Sequence, residues 1–281
     1  MEKKIVIQRV SAGNPQEPRF KNFHALMRKS FDRVKDPQTR IAFQVLNRGL
    51  NQLSEFESTY LHAINDREML EGIIQAEKSG YDGALIYCFS DPLLTEAKQA
   101  VNIPVIGLAQ ASLHCASFMG AKFGVIAISR ESAARNEELI AKYGLREKAI
   151  FPIRPMPLSP EAQGKMIVDS REGVKAFREV AREYIQAGAE VLIPACGVMM
   201  LALQHCPGCE DLPQGLREVD GVPILDCIGA AVKMTEAWVA LKKGGSPWIS
   251  RKGLFARPDD DTTEKARAKF PYLGSGVWVD E

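Results

Sequence analysis

Short apolar runs alternate with amphipathic stretches along most of the chain, and the alternation restarts once. Lys4–Val10 reads as a first strand, followed by a loop from Ser11 to Pro18 and a helix over Phe20–Lys35 that stops near Asp36-Pro37. Ile41–Leu46 is a second apolar run, read as a strand. Over Asp66–Ser79 the spacing sets Met69, Leu70, Ile73 and Ile74 on one helical face, and Gly80 supplies the residue type that closes helices. Ala84–Tyr87 reads as a buried strand. A helix is expected just after Asp91-Pro92, because proline suits the first helical position; Val105–Leu108 and Ala109–Met119 then give a strand and a helix. Phe123–Ile128 opens the second series. It continues with a helix over Glu131–Tyr143, a strand at Ile150–Ile153, a long helix over Arg171–Ala187, strands at Val191–Ala195 and Val222–Leu225, and a helix over Ile228–Lys243. From Ser246 onward no period is visible, and the tail is expected to pack as an extension on a lobe or on a neighbouring subunit.

Strands separated by helices predict a parallel sheet covered on both faces. The two series also share a phrase. Gly80-Tyr-Asp-Gly-Ala-Leu-Ile-Tyr-Cys88 matches Gly188-Ala-Glu-Val-Leu-Ile-Pro-Ala-Cys196, with the thiol eight residues after the glycine in both. Ile103-Pro-Val-Ile-Gly107 likewise matches Val222-Pro-Ile-Leu-Asp226. The expected fold is α/β, with two pseudo-symmetric lobes, each a parallel-stranded sheet flanked by helices, and an active site in the cleft between them. The expected division puts 1–112 with 227–281 (including the extension 246–281) in one lobe and 113–226 in the other.

At 281 residues, 46% of them apolar, the chain can bury a substantial core. A net charge of +1 without a basic stripe argues against nucleic acid or an anionic membrane as the main partner. No apolar run is long enough to span a bilayer, and the charged N-terminus lacks a signal-peptide core, so a cytoplasmic location is expected. Six cysteines in such a chain read as thiols rather than a disulfide scaffold. No glycine-rich phosphate motif is present, and no cofactor is inferred.

The repeat places Cys88 and Cys196 at the C-terminal ends of equivalent strands, where open parallel sheets bind ligands. Two thiols on opposite faces of one carbon can remove a proton from one side and return it on the other. Each is expected where a strand hands over to a helix, whose macrodipole would favour the thiolate. Backbone N–H groups of Phe89, Ser90, Gly197 and Val198 are candidates to hold an enolate oxygen. Ser11 and Ser129, after the first strand of each series, are candidates for a carbonyl or carboxylate, with Asn14 and Asp226 as weaker ones.

Three segments carry a resemblance. Cys88-Phe-Ser-Asp-Pro92, Ala195-Cys-Gly-Val-Met199 and Pro223-Ile-Leu-Asp-Cys-Ile-Gly-Ala-Ala-Val232 resemble the Asp/Glu/hydantoin racemase superfamily, nearest to its hydantoin and allantoin branch. The resemblance spans about Lys4 to Gly245. It implies two lobes about a pseudo-twofold axis, Cys88 and Cys196 as the paired bases, Ser90, Gly197 and Val198 lining the site, a small-molecule substrate and a homo-oligomer. A 5-substituted hydantoin or related ureide is the leading substrate class and an amino acid the next. Members of the superfamily also isomerise maleate by covalent thiolate addition or decarboxylate arylmalonates with one cysteine. A two-lobed binding protein without catalysis is the alternative outside enzymology.

Other residues have plainer readings. Cys115 and Cys227 sit among apolar neighbours and read as packing. Cys206-Pro-Gly-Cys209 is a lone C-x-x-C, adequately explained as a turn, and no metal site is inferred. His114 reads as a core or surface histidine, and Asp91 before Pro92 as the N-cap of the helix that follows.

Overall fold

A computed structural model describes residues 2–13, 17–274 and 276–280. β1 (Lys3–Ala12) is the centre of the first sheet, paired in parallel with β2 (Thr39–Leu46) on one side and β3 (Gly83–Tyr87) on the other. β4 (Val105–Gly107) follows beside β3, also parallel. The connections are α1 (Pro18–Val34), α2 (Thr59–Lys78) and α3 (Leu94–Ala100), and α4 (Leu108–Met119) leads to the second sheet. There β5 (Phe123–Ala127) is central, with β6 (Arg154–Pro155) and β7 (Val191–Ala195) parallel on its two sides. Ile224 bridges Leu192 in parallel, in the place that β4 holds beside β3. The order of strands in the first sheet thus recurs in the second, as two lobes of one α/β plan.

The helices of the second lobe are α5 (Arg130–Lys142), α6 (Pro160–Lys165), α7 (Arg171–Gln186) and α8 (Gly197–His205). α9 (Cys227–Lys243) returns to lie against β1, β3 and β4 and packs on α4. The central strands are buried without interruption: Ile5, Val6 and Ile7 in β1, Leu85 and Ile86 in β3, Phe123, Val125 and Ile126 in β5, Leu192 and Ile193 in β7. Covering helices on both faces require this continuous apolar run in place of strict alternation.

Two expected strands are reduced. Over Ile150–Ile153 the chain runs as a loop, and pairing is confined to Arg154–Pro155 and a single bridge from Ala149 to Phe123. Pro152 and Pro155 have no backbone N–H to give a ladder. The strand expected at Val222–Leu225 divides. Val222–Pro223 forms β9, antiparallel to β8 (Glu218–Val219), across a turn in which Asp220 and Gly221 both have positive φ. That turn twists as a two-residue hairpin requires. α2 is longer than expected because it starts at Thr59, capped by the Ser58 hydroxyl.

The tail is structured and packs on its own chain. β10 (Val277–Asp280) adds antiparallel to β2 and closes that edge of the first sheet. Arg251 donates to the carbonyl oxygens of Lys98 at 2.7 Å and Val101 at 2.8 Å, and the Tyr272 hydroxyl donates to Glu68 at 2.5 Å. α10 (Asp260–Lys269) is held through Arg267 and Glu71, 2.7 Å apart.

Tyr184 on α7 anchors the second sheet. Its ring is fully buried, and its hydroxyl donates to the Val125 carbonyl at 2.6 Å and accepts from the Arg154 N–H at 2.8 Å. A Cβ on Gly124 would sit 2.4 Å from Tyr184 Cγ. Gly124→Ala is therefore expected to destabilise the protein by about 1–3 kcal/mol through overpacking. The check is the urea midpoint at constant slope; an unchanged midpoint would show that the ring yields.

Candidate active site

Tyr87 is the last residue of β3 and Ala195 the last of β7, and each is followed at once by a cysteine. Cys88 and Cys196 line the same cavity of about 150 Å³ at the C-terminal ends of the two sheets. A cavity of about 150 Å³ holds a molecule the size of benzene, so a five-membered ring fits. Of the residues expected at the site, Ser11, Phe89, Ser90, Ser129, Gly197 and Val198 also line it. Asn14 lies outside the described residues.

The two thiols are reached differently. Cys196 is the N-cap residue of α8, and the backbone N–H groups of Val198 and Met199 face its sulfur. Burial raises its pKa, and these two donors oppose the rise. Cys88 does not start a helix. It enters a turn in which Asp91 and Leu93 have φ of 44° and 47°, and α3 begins only at Leu94. Burial pushes the Cys88 thiol up to about 11, against the Ser90 hydroxyl at 3.1 Å and the Ser90 backbone N–H. One expectation is corrected here. The expected helix start stands behind Cys196 and is missing at Cys88, and burial in a mainly apolar wall raises both thiols.

Three other assignments change. Asp226 does not line the cavity. Its carboxylate caps α9 by accepting from the Gly229 N–H at 2.9 Å, accepts from Gln204 Nε2 at 2.6 Å and pairs with Arg33 at 2.5 Å. Asp91 caps α4, not the helix that follows it in sequence. It accepts from the N–H groups of Ala109 at 2.9 Å and Gln110 at 2.7 Å and from the Tyr143 hydroxyl at 2.7 Å. Ser11 belongs to the end of β1, where its Oγ accepts from Arg9 at 2.7 Å. Ser129 caps α5 in a reciprocal pair with Ser132. His114 stays on α4 with Nδ1 2.7 Å from the Gln110 carbonyl oxygen, and Cys206 and Cys209 are free thiols outside the cavity.

Several wall residues escaped the sequence reading. Arg9, His62, Tyr87, Arg135, Asn136 and Gln163 all line the cavity. The Tyr87 hydroxyl donates to the Gly197 carbonyl at 3.1 Å, joining the two thiol-bearing turns. Arg135 donates to the carbonyl oxygens of Phe56 at 2.8 Å and Glu57 at 2.9 Å, fixing the short 3-10 turn Leu53–Glu57 over the site. His62 lies between Asp66 at 3.4 Å and the Phe56 carbonyl oxygen at 3.2 Å. Asn136 is buried, and its Nδ2 has no partner among the described residues. A signal did exist for Arg9: a charged residue inside a strand that is otherwise buried.

Fold and cavity together define a two-lobed α/β protein that brings one thiol from each lobe to a single small-molecule pocket. The model of the Asp/Glu/Hydantoin racemase family matches residues 36–235, and the chain belongs to that family, whose chemistry makes it an isomerase of the racemase class. The hydantoin racemase of Pseudomonas sp. (strain NS671) is 29% identical over 197 residues, 68% of this chain and 71% of the relative. That of Rhizobium meliloti is 31% identical over 175 residues, 60% and 65% of the two chains. In structure the chain is similar to the allantoin racemase from Klebsiella pneumoniae, with a TM-score of 0.74 at 23% identity, covering 92% of this chain and 95% of that one. Glutamate racemase RacE1 from Bacillus anthracis shares the fold at a TM-score of 0.55 and 12% identity, covering 98% and 96%. Among the described residues no helix is long and apolar enough to cross a membrane.

The raised thiol predicts a pH dependence. The neutral form of Cys88 is favoured in the fold, so its contribution to stability is present below its ordinary 9.0 and is lost as pH rises through about 11. In a Cys196→Ser background, alkylation of Cys88 by iodoacetamide should rise with pH towards a midpoint near 11. A midpoint near the ordinary 9.0 would show that the sulfur is not desolvated.

Proposed function

We propose that the protein is a cofactor-independent racemase in which Cys88 and Cys196 are the two acid–base groups. The substrate is a 5-substituted hydantoin or a related cyclic ureide. The observation that carries this is the meeting of the two strand-end thiols in one ring-sized cavity. The likeness to two bacterial hydantoin racemases and to an allantoin racemase supports the substrate class.

One thiolate takes the proton from the ring carbon that carries the substituent. The electron pair moves onto the adjacent carbonyl, giving an enolate, and the opposite thiol delivers its proton to the other face. After one turnover the ionised and protonated sulfurs have exchanged roles, so the pair titrates as a unit. At α8 the N–H groups of Val198 and Met199 oppose the effect of burial, which favours Cys196 as a thiolate. At Cys88 the Ser90 hydroxyl and N–H act in the same sense. The Asn136 amide, with Nδ2 unpartnered among the described residues, is a wall group suited to meet the enolate oxygen, beside the backbone N–H groups of the two thiol-bearing turns. The domain division at 112 and 226 follows from the same reading. It agrees with α9 packing against the first sheet.

General acid–base groups contribute about 10²–10⁴-fold to rate. Cys88→Ser and Cys196→Ser should each lower kcat/KM for a chiral hydantoin by at least about 10²-fold, measured by loss of optical rotation. A Cys88→Ser variant that racemises at the parent rate would overturn the two-base reading.

A further inference from the structure

Arg9 sits in β1 in register with Tyr87 of β3 and is 3% exposed. Its guanidinium carbon lies 4.8 Å from the Phe23 ring centroid and 6.0 Å from that of Phe20. Nη2 donates to Ser11 Oγ at 2.7 Å, while Nε and Nη1 have no partner among the described residues. No carboxylate of the described residues pairs with it. Burial lowers its pKa to about 10, so it remains a cation at neutral pH. Arg135, the other cation of its kind on this wall, already gives both Nη atoms to carbonyl oxygens, and Glu57 is the acidic side chain on the wall.

A buried guanidinium with unmet donors and no counter-ion is costly unless a ligand completes it. The aromatic rings hold its plane, and Ser11 fixes one edge. A neutral ring needs none of this. We propose that Arg9 binds a carboxylate carried by the substituent of the substrate ring, so that the site favours anionic 5-substituted hydantoins over neutral ones. The ring in this proposal rests on the racemase reading; the anion rests on the cavity. Arg9 sits on β1, not on either thiol-bearing turn, and acts on binding and selectivity.

The experiment compares racemic 5-(2-carboxyethyl)hydantoin with its isosteric amide, 5-(2-carbamoylethyl)hydantoin. Titration calorimetry reads binding alone, because interconversion of enantiomers releases no net heat, and polarimetry with single enantiomers reads turnover. The parent protein should bind the carboxylate at least about tenfold tighter than the amide, as a charge-assisted hydrogen bond in a dry site implies. That ratio should fall towards one in Arg9→Gln and survive in part in Arg9→Lys, with the change appearing in KM. Equal affinity in the parent, binding of neither compound, or a ratio that persists in Arg9→Gln overturns the proposal. Should Arg9→Gln not fold, the parent ratio and Arg9→Lys decide the matter: a ratio of one in the parent, or a ratio in Arg9→Lys unchanged from the parent, rejects it. Arg9-dependent carboxylate binding without racemisation would reject the racemase reading and leave the anion site standing. Racemisation without carboxylate preference would do the reverse.

Discussion

The hydrogen bond from the Tyr87 phenol to the Gly197 carbonyl holds the candidate site in register. Tyr87 immediately precedes one thiol and Gly197 immediately follows the other, so this 3.1 Å contact ties the two turns directly. It demands glycine, since a Cβ at 197 would lie 2.8 Å from the Tyr87 ring. It also needs a neutral phenol, and burial raises the Tyr87 pKa and secures that form. The shared core of the two sheets sets their relation, and this bond fixes the two turns within it. Side chains positioned by such locked partners can meet the tolerances that proton transfer imposes.

The same burial that fixes the geometry sets the chemistry. An apolar wall disfavours charge, so both thiols rest neutral, and local donors decide which of them ionises. Cys196 has two helix N–H groups, whereas Cys88 has one hydroxyl and one N–H from the same serine. The cavity thus presents two unequal sulfurs to one carbon. Arg9, cationic and incompletely paired on the same wall, gives the pocket a polarity that its apolar surface alone would lack.

Much of this was legible in the sequence because it follows from short-range rules. The glycine-to-cysteine phrase marked β3 and β7, and each thiol directly follows its strand. The continuous apolar runs marked central strands, and Gly80 marked the end of α2. What failed was non-local. Asp91 caps a helix 18 residues further on, and Asp226 is drawn to Arg33 and Gln204, partners that only the folded chain supplies. The weak strand at Ile150 carries Pro152, and the run at Val222 is divided by its hairpin with β8. Arg9, Arg135 and Asn136 belong to no motif, and their role rests on which of their donors the fold leaves unmet. The tail carried no period because its order comes from an edge strand and a few polar contacts, not from an amphipathic face.

The isotope content of early product tests the two-base mechanism most directly. A single hydantoin enantiomer is incubated in D₂O with the reduced protein, and both enantiomers are analysed at low conversion. Two opposing thiols predict deuterium at the ring carbon of the product, while the unreacted enantiomer keeps its proton. Product that retains the original proton, or deuterium entering both enantiomers equally from the start, would contradict two bases on opposite faces.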